Sequence, residues 1–473
     1  MNRPSAAFSP VSLKALVPEA QFIGCRDVTV RSVSVDQRAC RSGDLYVCLE
    51  CRENDQQAAI LTARSGGAAA VLTDRAWDIA GVPLCVVDDV AEAYGVLCQH
   101  LLGEPSSRLK LIGVMGSLGK TNTAMLTTAA LDAHGCNVAV ASSLGVFDGV
   151  GRRDIDIRLC GPSGLARWLA ESVAVGCTHA VLEIPADPRW SDRLAGLQFD
   201  TLCLTNIIDD DRYDPWGDVP ASDWLPRQVE SLTPEAVLVF NADDAPARRL
   251  ADESGRPALA VGSDDTSQLV GTLLETHIGE QTFLLSAGNT SVPLQTPLSG
   301  QFQLHNCLLA AGIALVDGGD VTTAVRGLET VRIVPGRLEP ISCGQAFVVY
   351  VDAAPTLDAL EHALDSVRPL AGGRLICGLV SQSGPVAQLD LASRTMRRFV
   401  ALAEAECETV VAGRLEEVAE RALSAAEPGD CVLITRCGRL NLTSRVAIGE
   451  DSQRVRDWLY ANQSQPQPAA SWS

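Results

Sequence analysis

Hydrophobic residues along this chain come in short blocks, and the blocks have two distinct periods. Runs such as Asp44-Leu45-Tyr46-Val47-Cys48-Leu49, after the Ser42-Gly43 turn, are continuous and predict buried strands. Gln56 to Ser65 and Asn122 to His134 instead carry apolar residues at helical spacing, and close on Gly66-Gly67 and Gly135. Residues 1–106 therefore read as short strands followed by one α/β unit. Ala68 to Leu72 is predicted as a buried strand and Glu104 to Ser107 as a linker.

From Arg108 onward, strands and helices alternate. Leu109 to Val114, Asn137 to Ala141, His179 to Ile184, Thr201 to Thr205 and Ala236 to Phe240 are apolar strand candidates, mostly separated by helical stretches. Such alternation implies a parallel sheet covered on both faces, with ligands at the carboxyl ends of the strands. Residues 255–300 have a β-rich texture that suits an excursion at the sheet edge, and Gln303 to Leu315 is again helical. The chain turns near Pro335-Gly336-Arg337. A third α/β region then follows, with strands at Phe347 to Asp352, Arg374 to Leu379 and Val432 to Thr435 and a helix at Leu357 to Val367. The expected fold class is α/β in three regions, 1–106, 107–337 and 338–460. The Gln/Pro/Ser-rich end, 461–473, is expected to be a disordered tail.

Composition narrows the function. The 473 residues include 58 acidic and 38 basic side chains, a formal net charge of −20. That excludes general coating of nucleic acid, which needs a net basic face. No run approaches the roughly 18 apolar residues of a membrane span, and no export signal is visible, so a cytoplasmic location is expected. The sixteen cysteines are scattered singly and read as reduced apolar side chains; Cys48 and Cys51 form the one CxxC, without a second pair or a nearby histidine. Only three of the 38 basic residues are lysines: Lys14, Lys110 and Lys120.

One of those lysines lies in the strongest motif. Gly116-Ser117-Leu118-Gly119-Lys120-Thr121 joins a predicted strand to a predicted helix. Backbone N–H groups of such a turn converge on phosphate oxygens, and the helix N-terminus adds positive potential. Lys120 there suits a β/γ-phosphate and the Thr121 hydroxyl suits Mg2+. The bland alternative is a glycine turn with a surface lysine.

Gly-Ser-x-Gly-Lys-Thr-x-Thr resembles the nucleotide loop of the Mur ligase family, and most closely its UDP-N-acetylmuramoyl-tripeptide synthetases (MurE-type). The resemblance covers nearly the whole chain. Asp36-Gln37-Arg38 with Ser42-Gly43-Asp44-Leu45-Tyr46 is similar to the family's Asp-Ser-Arg and Pro-Gly-Asp-Leu-Phe, and Gly67 to Leu72 to the strand closing that region. Leu182-Glu183-Ile184 stands where the family has Met-Glu-Val. Phe199-Asp200 with Thr205-Asn206 matches its next strand, and Asn306, Arg337 and Asp352 match positions associated with the nucleotide. The resemblance implies an N-terminal UDP-substrate domain, a central P-loop ATP-binding domain and a C-terminal Rossmann-like domain. It implies ATP and Mg2+ as cofactors, with Gly116, Ser117, Gly119, Lys120, Thr121, Asn306, Arg337 and Asp352 at the nucleotide. Thr121 and Glu183 would hold the metal, and Lys120 and Glu183 would serve catalysis. The implied partner is a small molecule, a UDP-muramoyl peptide of peptidoglycan biosynthesis, handled by a monomer.

The departures concentrate away from the phosphates. Ser-Ser-His after the family's Met-Glu-Val is replaced by Pro185-Ala186-Asp187, and a two-histidine motif becomes Asp211-Arg212-Tyr213-Asp214-Pro215-Trp216-Gly217. The family's carbamylated lysine, four residues after an aromatic, corresponds to Gln228 after Trp224. Glutamine cannot form a carbamate, so that second metal site lacks its bridge; Arg212 and Arg227 are the nearby cations. Thr-Thr-Pro becomes Cys160-Gly161-Pro162, and Asp-Tyr-Ala-His-Thr-Pro-Asp becomes Asp352-Ala353-Ala354-Pro355-Thr356-Leu357-Asp358. The Asp-Asn-Pro-Arg motif that clasps the added amino acid has no counterpart, and Gly-Lys-Gly-His-Glu becomes Arg436-Cys437-Gly438-Arg439-Leu440. Two readings stand: an ATP-dependent acid–amino acid ligase diverged in its amino-acid and second-metal sites, or a catalytically inactive nucleotide-binding scaffold or regulator. A third, a simple P-loop NTPase or switch, fits the three-region organisation least.

Overall fold

The computed structural model describes residues 10–49, 53–79, 81–153, 155, 160–185, 190–208, 225, 229, 236–277, 279–381, 394–437 and 448–462. The chain builds three α/β units, each around its own sheet. The first has five strands in the order Gln21–Ile23, Leu84–Val86, Ala70–Thr73, Leu45–Val47, Val33–Ser34. The last four run parallel, and only Gln21–Ile23 pairs antiparallel. Helices Glu53–Ser65 and Val90–Leu101 accompany the sheet, and its two faces carry separate apolar clusters around Leu72 and Tyr46. Buried on both faces, such strands need continuous apolar runs instead of alternation, as the sequence has.

The central sheet has eleven strands. Its order is Arg152–Arg153, Gly145–Phe147, Val138–Ser142, His179–Glu183, Lys110–Met115, Thr201–Leu204, Val237–Asn241, Ala258–Gly262, Leu269–His277, Glu280–Ala287, Thr290–Thr296. The seven from Val138–Ser142 to Leu269–His277 are parallel. Both edges are antiparallel, and the β-rich excursion of residues 255–300 extends one of them. Helices Lys120–Ala133, Gln303–Val316 and Val321–Leu328 cover one face; Pro162–Ala174 and Ala245–Ser254 cover the other. Strand Lys110–Met115 lies between two strands that come later in the chain, so its carboxyl end opens at a topological switch point, where open α/β sheets place ligands.

The third sheet runs Glu339–Pro340, Val348–Ala354, Cys431–Cys437, Leu375–Ser381, Glu408–Ala412, all parallel except the first pair. Two expectations are corrected at the joints. Pro105–Arg108 is a 3-10 turn whose Pro105 and Ser106 are buried, so the predicted linker is packed against the central unit. Ala461 and Asn462, assigned above to the disordered tail, end the helix Ile448–Asn462, whose Val455 and Leu459 are buried; residues 463–473 lie outside the described residues. No helix among the described residues is long and apolar enough to cross a membrane.

Candidate functional site

The loop after Lys110–Met115 is shaped by two glycines that nothing larger can replace without displacement. Gly116 has φ +130°, and a Cβ there would lie 2.2 Å from Thr205 Oγ1 and 2.7 Å from the Asn206 carbonyl. Gly119 has φ +81°, and its Cβ would lie 2.5 Å from Asn306 Oδ1. Asn206 holds the turn between them. Its Oδ1 accepts from Leu118 N–H at 2.9 Å, its Nδ2 donates to the Leu118 carbonyl at 3.2 Å, and its own carbonyl accepts from Ser117 N–H at 2.9 Å. Ser117 Oγ in turn accepts from Ile208 N–H at 2.9 Å. Helix Lys120–Ala133 starts immediately afterwards with no side-chain cap, leaving its first N–H groups directed at the cavity.

Lys120 folds back over the loop, donating to the carbonyls of Gly116 at 2.7 Å and Ser117 at 2.8 Å. Desolvation lowers its pKa to about 8; Arg337 adds to the drop and Glu183 opposes it. Thr121 Oγ1 lies 3.1 and 3.0 Å from the two carboxylate oxygens of Glu183 and 3.0 Å from Ser143 Oγ, while Ser143 N–H donates to Glu183 Oε2 at 2.9 Å. Glu183 ends its strand buried, 6% exposed, beside a row of hard oxygen donors. That donor set fits Mg2+, which takes carboxylate and hydroxyl oxygens beside phosphates.

Arg337 reaches the same cluster from the junction with the third unit. Its Nη2 donates to Thr121 Oγ1 at 3.2 Å and Ser143 Oγ at 3.1 Å, and its Nη1 donates to the Ala353 carbonyl at 3.3 Å. Asp352 Oδ1 accepts from Leu338 N–H at 2.9 Å. Burial raises the Asp352 pKa above the ordinary carboxylate range, although Arg337 and the N–H groups of Leu338 and Ala353 pull it down. Asn306, on helix Gln303–Val316, accepts from Thr123 Oγ1 at 3.2 Å and donates to Gln303 Oε1 at 2.9 Å. All these groups line or adjoin one cavity of about 460 Å³ between the central and third units. Its far wall is made by Asp243, His305, Phe302, Pro355, Ala359 and His362.

Of the predicted site residues, Ser117, Gly119, Lys120, Thr121, Glu183, Asn306, Arg337 and Asp352 line this cavity, and Gly116 forms the turn beneath it. Sequence reasoning passed over three contributors. Asn206 was read as part of a strand, although its place at a strand's carboxyl end beside the loop was the available signal. Ser143 sits at the equivalent end of Val138–Ser142. His305 Nε2 pairs with Asp243 Oδ2 at 2.7 Å; that bond and the Ser263 N–H bonds outweigh burial and lower the Asp243 pKa. No spacing links His305 and Asp243 in the sequence.

Among the departures, Gly161 and Pro162 begin helix Pro162–Ala174 without a hydroxyl cap. Arg436, in the altered late motif and itself partly buried, forms a bidentate pair with the buried Asp451 of the last helix, so its charge is spent within the fold. Cys51, Ala186, Asp187, residues 211–217, Trp224, Arg227, Gln228 and 438–440 lie outside the described residues, as do residues 382–393.

A three-unit α/β chain with a glycine loop at the switch point, enclosed by a third unit through an arginine at the junction, defines a class for comparison. The Mur ligase middle domain model matches residues 114–314. The UDP-N-acetylmuramoyl-L-alanyl-D-glutamate–2,6-diaminopimelate ligase of Pseudomonas aeruginosa is 31% identical over 379 residues, covering 78% of this chain and 76% of that one. The ligase of the same description from Syntrophomonas wolfei is 28% identical over 370 residues, covering 77% and 75%. A solved structure of such a diaminopimelate ligase superposes with TM-score 0.67 at 19% identity, covering 96% of this chain and all of that one. The MurF ligase from Thermotoga maritima, solved in complex with ADP, gives 0.61 at 15% identity, covering 91% and 99%. This chain belongs to the Mur ligase family.

Proposed function

We propose that this chain is an ATP-dependent acid–amino acid ligase that activates a carboxylate of a UDP-muramoyl peptide as an acyl phosphate. The observation that carries the reading is the convergence of Lys120, the N-terminus of helix Lys120–Ala133, Glu183, Asn306 and Arg337 on one cavity between two units. Phosphoryl transfer demands above all that charge on the transferred group be matched and its oxygens held in line. Lys120 would leave the carbonyls of Gly116 and Ser117 to meet a phosphate oxygen, and the loop N–H groups would hold the others. Mg2+, bound by Thr121 and Glu183, would supply further charge neutralisation. Asn306 braces Gly119 from behind, so it keeps the loop open to the nucleotide. An amine brought in by the third unit would then attack the acyl carbon, forming the amide C–N bond as the C–O bond breaks and inorganic phosphate and the amine's proton leave, with closure of that unit excluding water.

The same reading places a monomer in the cytoplasm acting on a soluble precursor. The alternative, a nucleotide-binding relative without turnover, draws on Gln228 in place of a carbamate-forming lysine and on the missing amino-acid clasp. Purified protein incubated with ATP, Mg2+, UDP-muramoyl dipeptide and a panel of amino acids decides between them. Release of ADP that requires both the dipeptide and one amino acid is expected. ATP binding with no ADP formed under any combination would sink the ligase reading and leave the scaffold.

A further inference from the structure

The oxygens that fit a divalent cation are already engaged by a cation of the protein's own. Thr121 Oγ1 has one proton and two lone pairs. Its proton goes to Glu183, and its lone pairs face Arg337 Nη2 at 3.2 Å and Ser143 Oγ at 3.0 Å. Ser143 Oγ likewise accepts from Arg337 at 3.1 Å. With this arrangement in place, both lone pairs of Thr121 Oγ1 are engaged and none is left for a metal ion, while Ser143 Oγ keeps one. A dication drawn to Glu183 would also meet the guanidinium's like charge across the same two oxygens.

Arg337 is held there by an unusual stretch of backbone. Gly336 and Leu338, on either side of it, both have positive φ, +62° and +44°. For leucine that is a conformation the surroundings must enforce. Leu338 is buried in the third unit's core with its N–H on Asp352, and Gly336 N–H donates to Glu339 Oε2 at 2.9 Å. Glu339 is fixed in turn by Ser452 at 2.5 Å and Arg456 at 2.6 Å from the last helix. The arginine is therefore held from both sides: its own N–H donates to the carbonyl of Val334, in the central unit's core, at 3.1 Å, while Leu338 and the Ala353 carbonyl tie it to the third unit.

We infer that Arg337 is an internal counter-ion of the metal site. It and a divalent cation exclude each other at Thr121, so metal entry requires the arginine to withdraw from that hydroxyl. This rests on the nucleotide-site reading above for its biological setting, but its test needs no nucleotide.

Mn2+ is titrated into the full-length protein in the absence of nucleotide, and the free-ion electron paramagnetic resonance signal reports binding. Arg337→Gln, which keeps a neutral hydrogen-bond donor, is expected to bind Mn2+ at least tenfold more tightly than the unaltered chain. Adding Glu183→Gln to that variant is expected to abolish the gain. Unchanged or weaker Mn2+ binding by folded Arg337→Gln overturns the proposal, as does a gain that survives Glu183→Gln. If Arg337→Gln does not fold, as judged by circular dichroism, Arg337→Met takes its place. Its unbranched stem keeps most of the length and removes the charge, and the same tenfold criterion applies. ADP binding is measured separately in chelator. Absence of ADP binding together with the Mn2+ gain would overturn the nucleotide reading alone, and the converse pair of results would overturn only the counter-ion.

Discussion

Replacing Gly119 with alanine tests the construction of the phosphate loop. Two penalties act at this position. A left-handed backbone costs a non-glycine residue about 1–2 kcal/mol. In addition, the new Cβ would sit 2.5 Å from Asn306 Oδ1, far inside contact distance. Asn306 cannot retreat without stretching its bonds to Thr123 and Gln303, both buried. At about 0.5–1.5 kcal/mol for each such bond, the total is about 2–5 kcal/mol. Gly135 supplies the control, because its φ is +82° and a Cβ there meets nothing within 4 Å. Gly135→Ala should therefore cost only the backbone term, and the unfolded-state entropy gained by replacing glycine is common to both variants. For a cooperative unit the size of the central sheet and its helices, each kcal/mol moves Tm by roughly 2–4 °C. Thermal unfolding should thus show Gly119→Ala falling well below Gly135→Ala. ADP affinity should drop at least tenfold in the first and hold in the second. Equal losses of Tm in the two variants would show that Asn306 does not set the space at Gly119, and the account of the loop would be wrong.

Lys120→Ala is expected to abolish ADP binding, measured by calorimetry. Because the free-state lysine has a pKa of about 8, a phosphate that requires its charged form should draw in protons on binding near that pH, and affinity should fall as pH rises beyond it; a binding enthalpy independent of the buffer's ionisation enthalpy would contradict this. Asp352 has a raised folded-state pKa, so the folded chain holds this proton more tightly than the unfolded one, and stability falls as pH climbs from the ordinary carboxylate range through the raised value. Asp352→Asn keeps an acceptor for Leu338 N–H and removes the titration, so its Tm relative to the unaltered chain should rise as pH climbs above the ordinary carboxylate value of about 4; a constant difference would refute the assignment. Glu339→Ala leaves Arg456 without its buried partner and should cost about 2–4 kcal/mol in urea unfolding, towards the lower end because Arg456 is partly exposed.

Much of the fold was legible because parallel strands buried on both faces announce themselves as unbroken apolar runs. The helix Leu357–Val367 lies where its spacing predicted, and the β-rich stretch after residue 255 does extend the sheet edge. The joints were harder to read. Glu104-Pro105-Ser106-Ser107 has a linker's composition, but its burial is decided by helix Pro162–Ala174, which packs there from far along the chain. Helix Ile448–Asn462 was hidden by the polar composition of its exposed face, and the tail was begun two residues early. At the site, residues carried by a local motif or strand end were found. Pairings across long separations, such as Asn206 with Leu118 or His305 with Asp243, have no sequence period to betray them. The scarcity of lysine proved informative in both directions. Lys110 is taken up by an ion pair with Asp317 at 2.6 Å, and Lys120 is the one in the cavity.

The residues facing the cavity are of two physical kinds, and they differ in what they say about function. Asn206 and Asn306 have hydrogen-bond partners within the fold whether or not a ligand ever binds: one clasps the loop and one braces Gly119. Their presence would be expected in an inactive descendant that still had to fold. Lys120 is different. Its partners are two carbonyls of its own loop, and removal from water lowers its pKa, which means that the charged form is held at a cost to the folded state. A side chain that destabilises its own fold at a site shaped for an anion is explained by the anion and by little else. Arg436 marks the opposite case, a cation that the fold has absorbed by pairing it with Asp451. The cavity therefore holds a cation whose charge the fold does not reward, as the proposed phosphate site requires, whereas Arg436 is occupied in tying a strand of the third unit to its last helix.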